Sequence, residues 1–380
     1  MSVRFGVNYI PSQGWLYSWT DWSAAEVRKD LAAIANLGLD HVRVHCIWPV
    51  FQPNRSLASP AALAHLRELV DIAGDLGLDV YVCVLNGWMS GTYFRPFWQS
   101  DGMSIFTDQN AIDAELSLLG AVADALSDRP AFRGVDIGNE PNVMSAFAGN
   151  SVSREEGDAW LRTLLEHCEA VDPGGFHVAG VDHAPWMSDD SPFSREALAD
   201  LGAASVVHSW VFFTGALARY GATGTGTQHL ARYLVELARA FADDRSDRPV
   251  WLQEIGVSPE WIPEEDLPAF AGAIIDNAVR AKPWGITWWC SHDIDPALSD
   301  FDSLEYGLGL FDTERRLKPI GRAVQEAVER HREVETPSQV GERPRLILPD
   351  AVTPGLEFAD RYFELVEKGS DPLIVREARA

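Results

Sequence analysis

Short apolar runs alternate along the chain with stretches in which apolar residues return every three or four positions. The runs near residues 4–9, 41–48, 79–86, 135–140, 177–183, 205–211, 249–255 and 285–291 predict strands buried on both faces. Helical spacing between and after them predicts helices near 23–37, 60–76, 110–126, 155–171, 194–201, 227–242, 264–281 and 318–333. The ends carry their own signals. Ser23 with Glu26 forms a capping box, and Ser59-Pro60 places an N-cap before a proline at the first helical position. Leu37-Gly38-Leu39-Asp40 and Leu76-Gly77-Leu78-Asp79 repeat one helix stop, with glycine just past the helix and a strand following.

Eight strand–helix units at intervals of about 40 residues predict an α/β fold, a (β/α)8 TIM barrel over residues 1–333. The competing doubly wound open sheet lacks a Gly-x-Gly-x-x-Gly turn after the first strand. Gly221-Ala222-Thr223-Gly224-Thr225-Gly226 follows no strand and reads as a loop entering a helix. Beyond residue 333 the texture changes. Pro337, Pro344, Pro349, Pro354 and Pro372 punctuate a tail with one strand-like piece, Arg345-Leu346-Ile347-Leu348, and one amphipathic piece, Leu356 to Lys368. Residues 334–380 are therefore expected to be a C-terminal extension packed on the barrel. The aromatic insertion at 88–107 is the longest loop on the side where the strands end.

Composition narrows the partners. A formal charge of −25, from 31 Lys and Arg against 56 Asp and Glu, disfavours nucleic acid and anionic membrane surfaces. A neutral ligand fits best. The 14 Trp and 17 Phe are a generous supply; most of the Trp are expected to fill the core, and the remainder suit sugar rings, whose apolar faces stack on indole. Cys46, Cys83, Cys168 and Cys290 are scattered and read as small buried hydrophobes in a reducing compartment. No apolar stretch has membrane-span length, and the N-terminus runs directly into a strand without a basic and apolar leader. A cytoplasmic protein is expected.

The chemistry sits at strand ends. Glu140, in Val135-Asp136-Ile137-Gly138-Asn139-Glu140-Pro141, and Glu254, in Val250-Trp251-Leu252-Gln253-Glu254-Ile255-Gly256, each finish an apolar run that breaks into Pro or Gly. A charge is costly inside a strand, so two at equivalent strand ends point to a site. On strands 4 and 7 of a small barrel they face one another across one pocket. Cleavage of a glycosidic bond with retention needs two carboxyls about 5 Å apart, one nucleophile and one acid/base. Arg43, mid-strand in His41-Val42-Arg43-Val44-His45, needs an acidic partner and supplies the cation that keeps one carboxyl ionised, unless it only pairs with some other acid. Asn139 is either a sugar contact or a turn residue before Pro141. His208 ends strand 6 and Trp288-Trp289 end strand 8, where alternation lets only one indole face inward. A metal site built from His41, His45, His183, His208 and His292 is the rival, but Arg43 between two of these ligands opposes a dication. No metal and no cofactor are expected.

Arg43, Asn139-Glu140-Pro141, His208, Glu254-Ile255-Gly256 and the strand-eight tryptophans together resemble the clan A glycoside hydrolases, most closely family five with its cellulases, mannanases and β-mannosidases. The resemblance spans residues 4 to about 330. It implies a retaining mechanism without cofactor, Glu140 as acid/base and Glu254 as nucleophile. It also implies Arg43, Asn139, His208, Trp210, Trp88 and Trp289 around the sugar. Gly6-Val7-Asn8-Tyr9 with Gly14-Trp15, and Gly87-Trp88-Met89-Ser90-Gly91, resemble a bacterial branch near β-mannosidases and mannanases. Two positions depart from the family pattern. Trp210 stands where strand 6 usually carries a tyrosine, and Asn86-Gly87-Trp88 where strand 3 commonly ends in histidine. The expectation is an exo-acting β-mannosidase on short neutral oligosaccharides. An endo-acting mannanase or glucanase and a non-catalytic sugar-binding barrel are the alternatives.

Overall fold

In a computed structural model of the chain, residues 2–147, 149–242, 247–333 and 343–377 are described. Eight parallel strands form the centre: β1 Arg4–Tyr9, β2 His41–Ile47, β3 Asp79–Asn86, β4 Phe132–Asn139, β5 Val178–Gly180, β6 Ser205–Ser209, β7 Val250–Ile255 and β8 Gly285–Trp288. The hydrogen-bonded order is β5-β4-β3-β2-β1-β8-β7-β6. Only the β5–β6 seam lacks a ladder, and there the Ala203 N–H donates to the His177 carbonyl. The sheet is thus a nearly closed (β/α)8 barrel, as the alternation of runs predicts.

Helices α1 Ala24–Ala35, α2 Pro60–Asp75, α3 Gln109–Leu126, α4 Arg154–Val171, α5 Arg195–Asp200, α6 Leu230–Ala240, α7 Leu267–Val279 and α8 Pro319–Glu333 follow the strands in turn. The Ser23 and Ser59 hydroxyls accept from backbone N–H groups of the first turns of α1 and α2. The Glu26 carboxylate, however, pairs with Lys29 and Arg315 and not with the Ser23 N–H, so the expected capping box is only half formed. Strand β2 is buried at all seven residues, one face against helices and the other inside the barrel. The lower barrel is packed with rings: His41, Tyr81, Trp251, Trp284 and Phe176 lie in edge and stacked contacts. Gly6 makes room for them, since a Cβ there would sit 2.3 Å from the His41 ring. The bottom of the barrel interior is therefore a plug, and the cavity that reaches Glu140 and Glu254 lies at the C-terminal strand ends.

The tail is more ordered than its sequence predicts. Strand β9 Arg345–Leu348 and helix α9 Leu356–Glu367 match the two expected pieces. A further strand, β10 Leu373–Arg376, pairs parallel with β9, the crossover being α9. Four residues carry too little periodicity to announce a strand; β10 exists because α9 returns it to β9. This unit covers the outer face of α6. The Tyr233 hydroxyl donates to the Pro354 carbonyl at 2.6 Å, and the Tyr233 ring packs on Tyr362 and Phe363. Arg232 and Glu236, one turn apart on α6, are buried beneath the tail and pair with Asp371 and Arg343. The expected boundary at 333/334 adjoins residues outside those described. No described helix is long and apolar enough to cross a membrane.

Phe358 is 2% exposed in this interface, whereas Val352 is 40% exposed. Phe358→Ala is expected to lower unfolding free energy by about 3 kcal/mol in urea titrations, and Val352→Ala to stay within about 0.5 kcal/mol of the parent.

Candidate active site

The floor of the upper barrel is one buried guanidinium. Arg43 donates through Nε and Nη2 to Asp136 Oδ2 at 2.9 and 2.6 Å, and through Nη2 to Asn139 Oδ1 at 2.8 Å. Its Nη1 donates to Glu254 Oε1 at 2.8 Å and to Asn8 Oδ1 at 3.1 Å. Burial alone would weaken its hold on its proton, but the charges of Asp136 and Glu254 more than reverse this. Both sequence readings of Arg43 hold at once: it pairs with a structural acid and with a site glutamate. Gly180 completes the floor. A Cβ there would lie 2.5 Å from Asp136 Oδ2 and 2.8 Å from Arg43 Nη2, so only glycine lets the network close.

Strict alternation would not bring Asp136 and Asn139 to one cation. A register shift between β4 and β5 across these residues turns both inward. A second shift, between β6 and β7, pairs Val207 with Leu252 and then His208 with Glu254. It admits Gln253 to the interior beside Glu254, so that Gln253 Oε1 lies 3.0 Å from His208 Nε2. Asp136, Asn8 and Gln253 are the site residues that sequence reasoning passed over. All three lie inside motifs it had singled out, but alternation points Gln253 outward and gives Asp136 no distinguishing signal.

Glu140 closes β4 in a left-handed conformation, φ 44°, which turns the chain into the short helix Pro141–Met144. Its Oε1 lies 2.8 Å from His208 Nδ1, and its Oε2 accepts from the Trp88 indole N–H at 3.2 Å. Burial, followed by the Asp182 charge, pushes the Glu140 carboxyl up to about 8. Burial holds His208 below its ordinary value, so the ring is neutral. In the tautomer whose Nε2–H donates to Gln253 Oε1, Nδ1 is an acceptor and a protonated Glu140 donates to it, an assignment that fits the directions of both shifts.

Glu254 has the opposite environment. It too is raised by burial, but the Arg43 guanidinium hydrogen-bonded to it opposes that rise. The Trp210 indole N–H donates to its Oε2 at 3.2 Å. The tyrosine hydroxyl absent from strand 6 thus has a stand-in, a second N–H donor on the carboxylate. Atoms of Glu140, His208 and Glu254 all lie within 4.8 Å of one another. The two glutamates therefore do face each other in one pocket.

That pocket, a cavity of about 250 Å³, is lined by Glu140, Glu254, Asn139, Trp88, Trp210 and Trp289, among others. Trp288 is buried in the core, so Trp289 is the strand-eight indole that meets the cavity. Phe213 and Trp261 line the cavity from the loops after β6 and β7, and exposed Phe212 stacks on Trp261 with ring centroids 4.9 Å apart. The side above β1 and β2 is shut. Trp15 from the loop after β1 wedges between Phe94 after β3, at 5.7 Å, and Phe301 after β8, at 4.7 Å. In the cavity lining these loops meet again, where Glu305 comes beside Ser90.

The histidines of the rival metal reading do not gather. His41 bonds Thr287 in the lower plug, His45 bonds Asn8, and His292 faces the Ile10 carbonyl. Among the described residues the one trio with metal-ligand spacing is Glu140, His208 and Glu254, and the Arg43 guanidinium already occupies one Glu254 oxygen.

No family model matches the chain, and no curated protein does. Solved structures do. A GH5_18 protein from Streptomyces cattleya, solved with GlcNAc, is 42% identical, with 99% of this chain and 94% of that one covered and a TM-score of 0.94. A Glu-to-Ala variant of GH5_18 from Streptomyces cattleya has been solved with Manβ1-4GlcNAc. A GH5_18 protein from Bifidobacterium longum subsp. infantis is 37% identical over 100% of this chain and 92% of its own, with a TM-score of 0.92. Exo-beta-1,4-mannosidase Op5Man5 from Opitutaceae bacterium strain TAV5 is 25% identical over 98% of this chain and 69% of its own, with a TM-score of 0.79. At that identity and coverage, with two glutamates sharing one pocket at the strand ends, the chain belongs to glycoside hydrolase family 5, in its GH5_18 group.

Proposed function

We propose that this family 5 glycosidase is an exo-acting, retaining β-mannosidase, with Manβ1-4GlcNAc the disaccharide it most resembles an enzyme for. The observation that carries the reading is the approach of the Glu140 and Glu254 oxygens to within 4.8 Å. That spacing suits direct attack by a carboxylate; inversion needs roughly 6.5–9.5 Å, to admit a water. Glu254, ionised beside Arg43, attacks the anomeric carbon while Glu140, protonated against His208, gives its proton to the leaving oxygen. Glu140 then takes a proton from water, which hydrolyses the glycosyl-enzyme.

Closure over β1 and β2 supports exo action, because a chain cannot run through a pocket with one end walled off. The mannose assignment draws on the exo-mannosidase neighbour and on the disaccharide bound by the Streptomyces protein. On a β-1,4-linked tetrasaccharide, early release of monosaccharide is expected; early disaccharide would indicate endo action. Proton NMR of the first product should show the β-anomer.

Glu254→Ala is expected to abolish turnover. Glu140→Gln should keep most glycosylation activity on a dinitrophenyl β-mannoside, whose leaving group needs little protonation, and lose about 1,000-fold or more on the unactivated disaccharide. Equal loss on both substrates would remove the acid/base role. The kcat/KM profile of the parent should fall as pH rises through about 8, where Glu140 loses its proton. It should also fall on the acid side as Glu254 becomes protonated, at a pH above the ordinary carboxyl range. Glu140→Gln should lack the alkaline limb on the activated substrate.

A further inference from the structure

Two further carboxyls line the pocket beside the two glutamates; Asp182 accepts from Asn142 and the Ala184 N–H, and the other, Glu305, is not used by the two-glutamate chemistry. Glu305 lies on the single-turn helix Ser303–Gly307, in the long connection after β8, and lines the same cavity as Glu140. It is half-buried, and among the described residues it forms no ion pair. Most buried acids here have a stated structural partner: Asp136 has Arg43, Asp30 has Arg315, and Glu236 has Arg343. An acid turned into a binding cavity without a cation is costly unless something else fills its hydrogen-bonding capacity.

Its position says what that something is. Glu305 stands beside Ser90, at the tip of the hairpin after β3, where Ser90 and Gly91 both adopt left-handed backbone, φ 48° and 75°. The loops after β3 and β8 are the two that Trp15 ties together. Glu305 and Ser90 therefore lie beside the Trp15 closure above β1 and β2, across the barrel from β5 and β6. A sugar with its anomeric carbon between Glu140 and Glu254 and its leaving group pointing away from the Trp15 closure turns the far edge of its ring to this wall. That edge carries the 3-, 4- and 6-hydroxyls.

We propose that Glu305 is the specificity determinant for the terminal sugar, its carboxyl accepting hydrogen bonds from ring-edge hydroxyls, among them the 4-hydroxyl, which in a β-1,4-linked glycan is free only on the non-reducing-end residue. The inference rests on the exo-β-mannosidase reading and deepens it. An acceptor group rewards a hydroxyl and leaves an expensive gap when the hydroxyl is missing or carries another sugar. Burial, with the charges of Asp302 and Glu140, pushes the Glu305 carboxyl up to about 7 despite Ser90, in keeping with a group waiting for hydroxyl partners rather than a cation.

The test uses the full chain with aryl β-mannoside and its 3-, 4- and 6-deoxy analogues, each hydrolysed by the parent, Glu305→Gln and Glu305→Ala. In the parent, at least one deoxy substrate should lose about 100-fold in kcat/KM against aryl β-mannoside. Glu305→Ala should lose about 100-fold on aryl β-mannoside, largely in KM, and should no longer distinguish it from that deoxy analogue. Glu305→Gln, which keeps an acceptor oxygen, should fall between. The ratio of the two substrates within one preparation is independent of how much protein is folded. Full deoxy discrimination retained by Glu305→Ala, or no discrimination by the parent at all three positions, overturns the proposal. A parent inactive on every β-mannoside would instead overturn the function on which it rests.

Discussion

One guanidinium organises the upper half of this barrel. Arg43 is fully buried and spends its donors on Asp136, Asn139, Asn8 and Glu254, which come from β4, β1 and β7. Such a network stabilises little in itself, because removing the charges from water costs several kcal/mol per ion. Its value lies in position. Losing one partner would strand a buried charge, at a cost of about 3–5 kcal/mol, so the strands that supply the partners are held in one register. The glycine at 180 and the shifts in β4 and β7 are the local concessions that let the network form.

From that anchor the two glutamates acquire different chemistry although both are buried glutamates at strand ends. Glu254 lies against the cation, while Glu140 lies against a neutral imidazole and near another acid. Each also accepts from one indole N–H, Trp210 for Glu254 and Trp88 for Glu140. Burial raises both carboxyls; the Asp182 charge adds to the rise at Glu140, whereas the hydrogen-bonded Arg43 guanidinium opposes it at Glu254. His208, between them, is the element through which a change at one would be felt at the other.

The barrel was legible because its cause is local: apolar runs of strand length and helix stops recur at regular spacing, and each survives in the structure. Glu140, Glu254 and Arg43 were legible because a charge in a buried run contradicts its surroundings. Gln253 and Asp136 were not, since their inward placement comes from register shifts that depend on the neighbouring strand. Glu305 was hidden for another reason. It sits in a loop with no periodicity, and its approach to Ser90 depends on two connections far apart in sequence. The loss of tyrosine at 210 read as the loss of a hydroxyl, whereas the indole delivers an equivalent donor from a longer side chain.

The wedge of Trp15 between Phe94 and Phe301 has a consequence for traffic. A cul-de-sac has one door. On the proposed reading the severed mannose lies innermost, so the outer fragment must depart before it, and the next glycan cannot begin to enter until both are gone. Such an enzyme releases its grip completely after every cut. It gains nothing from a long chain held nearby, and its monosaccharide product, seated deepest, is the species best placed to slow it.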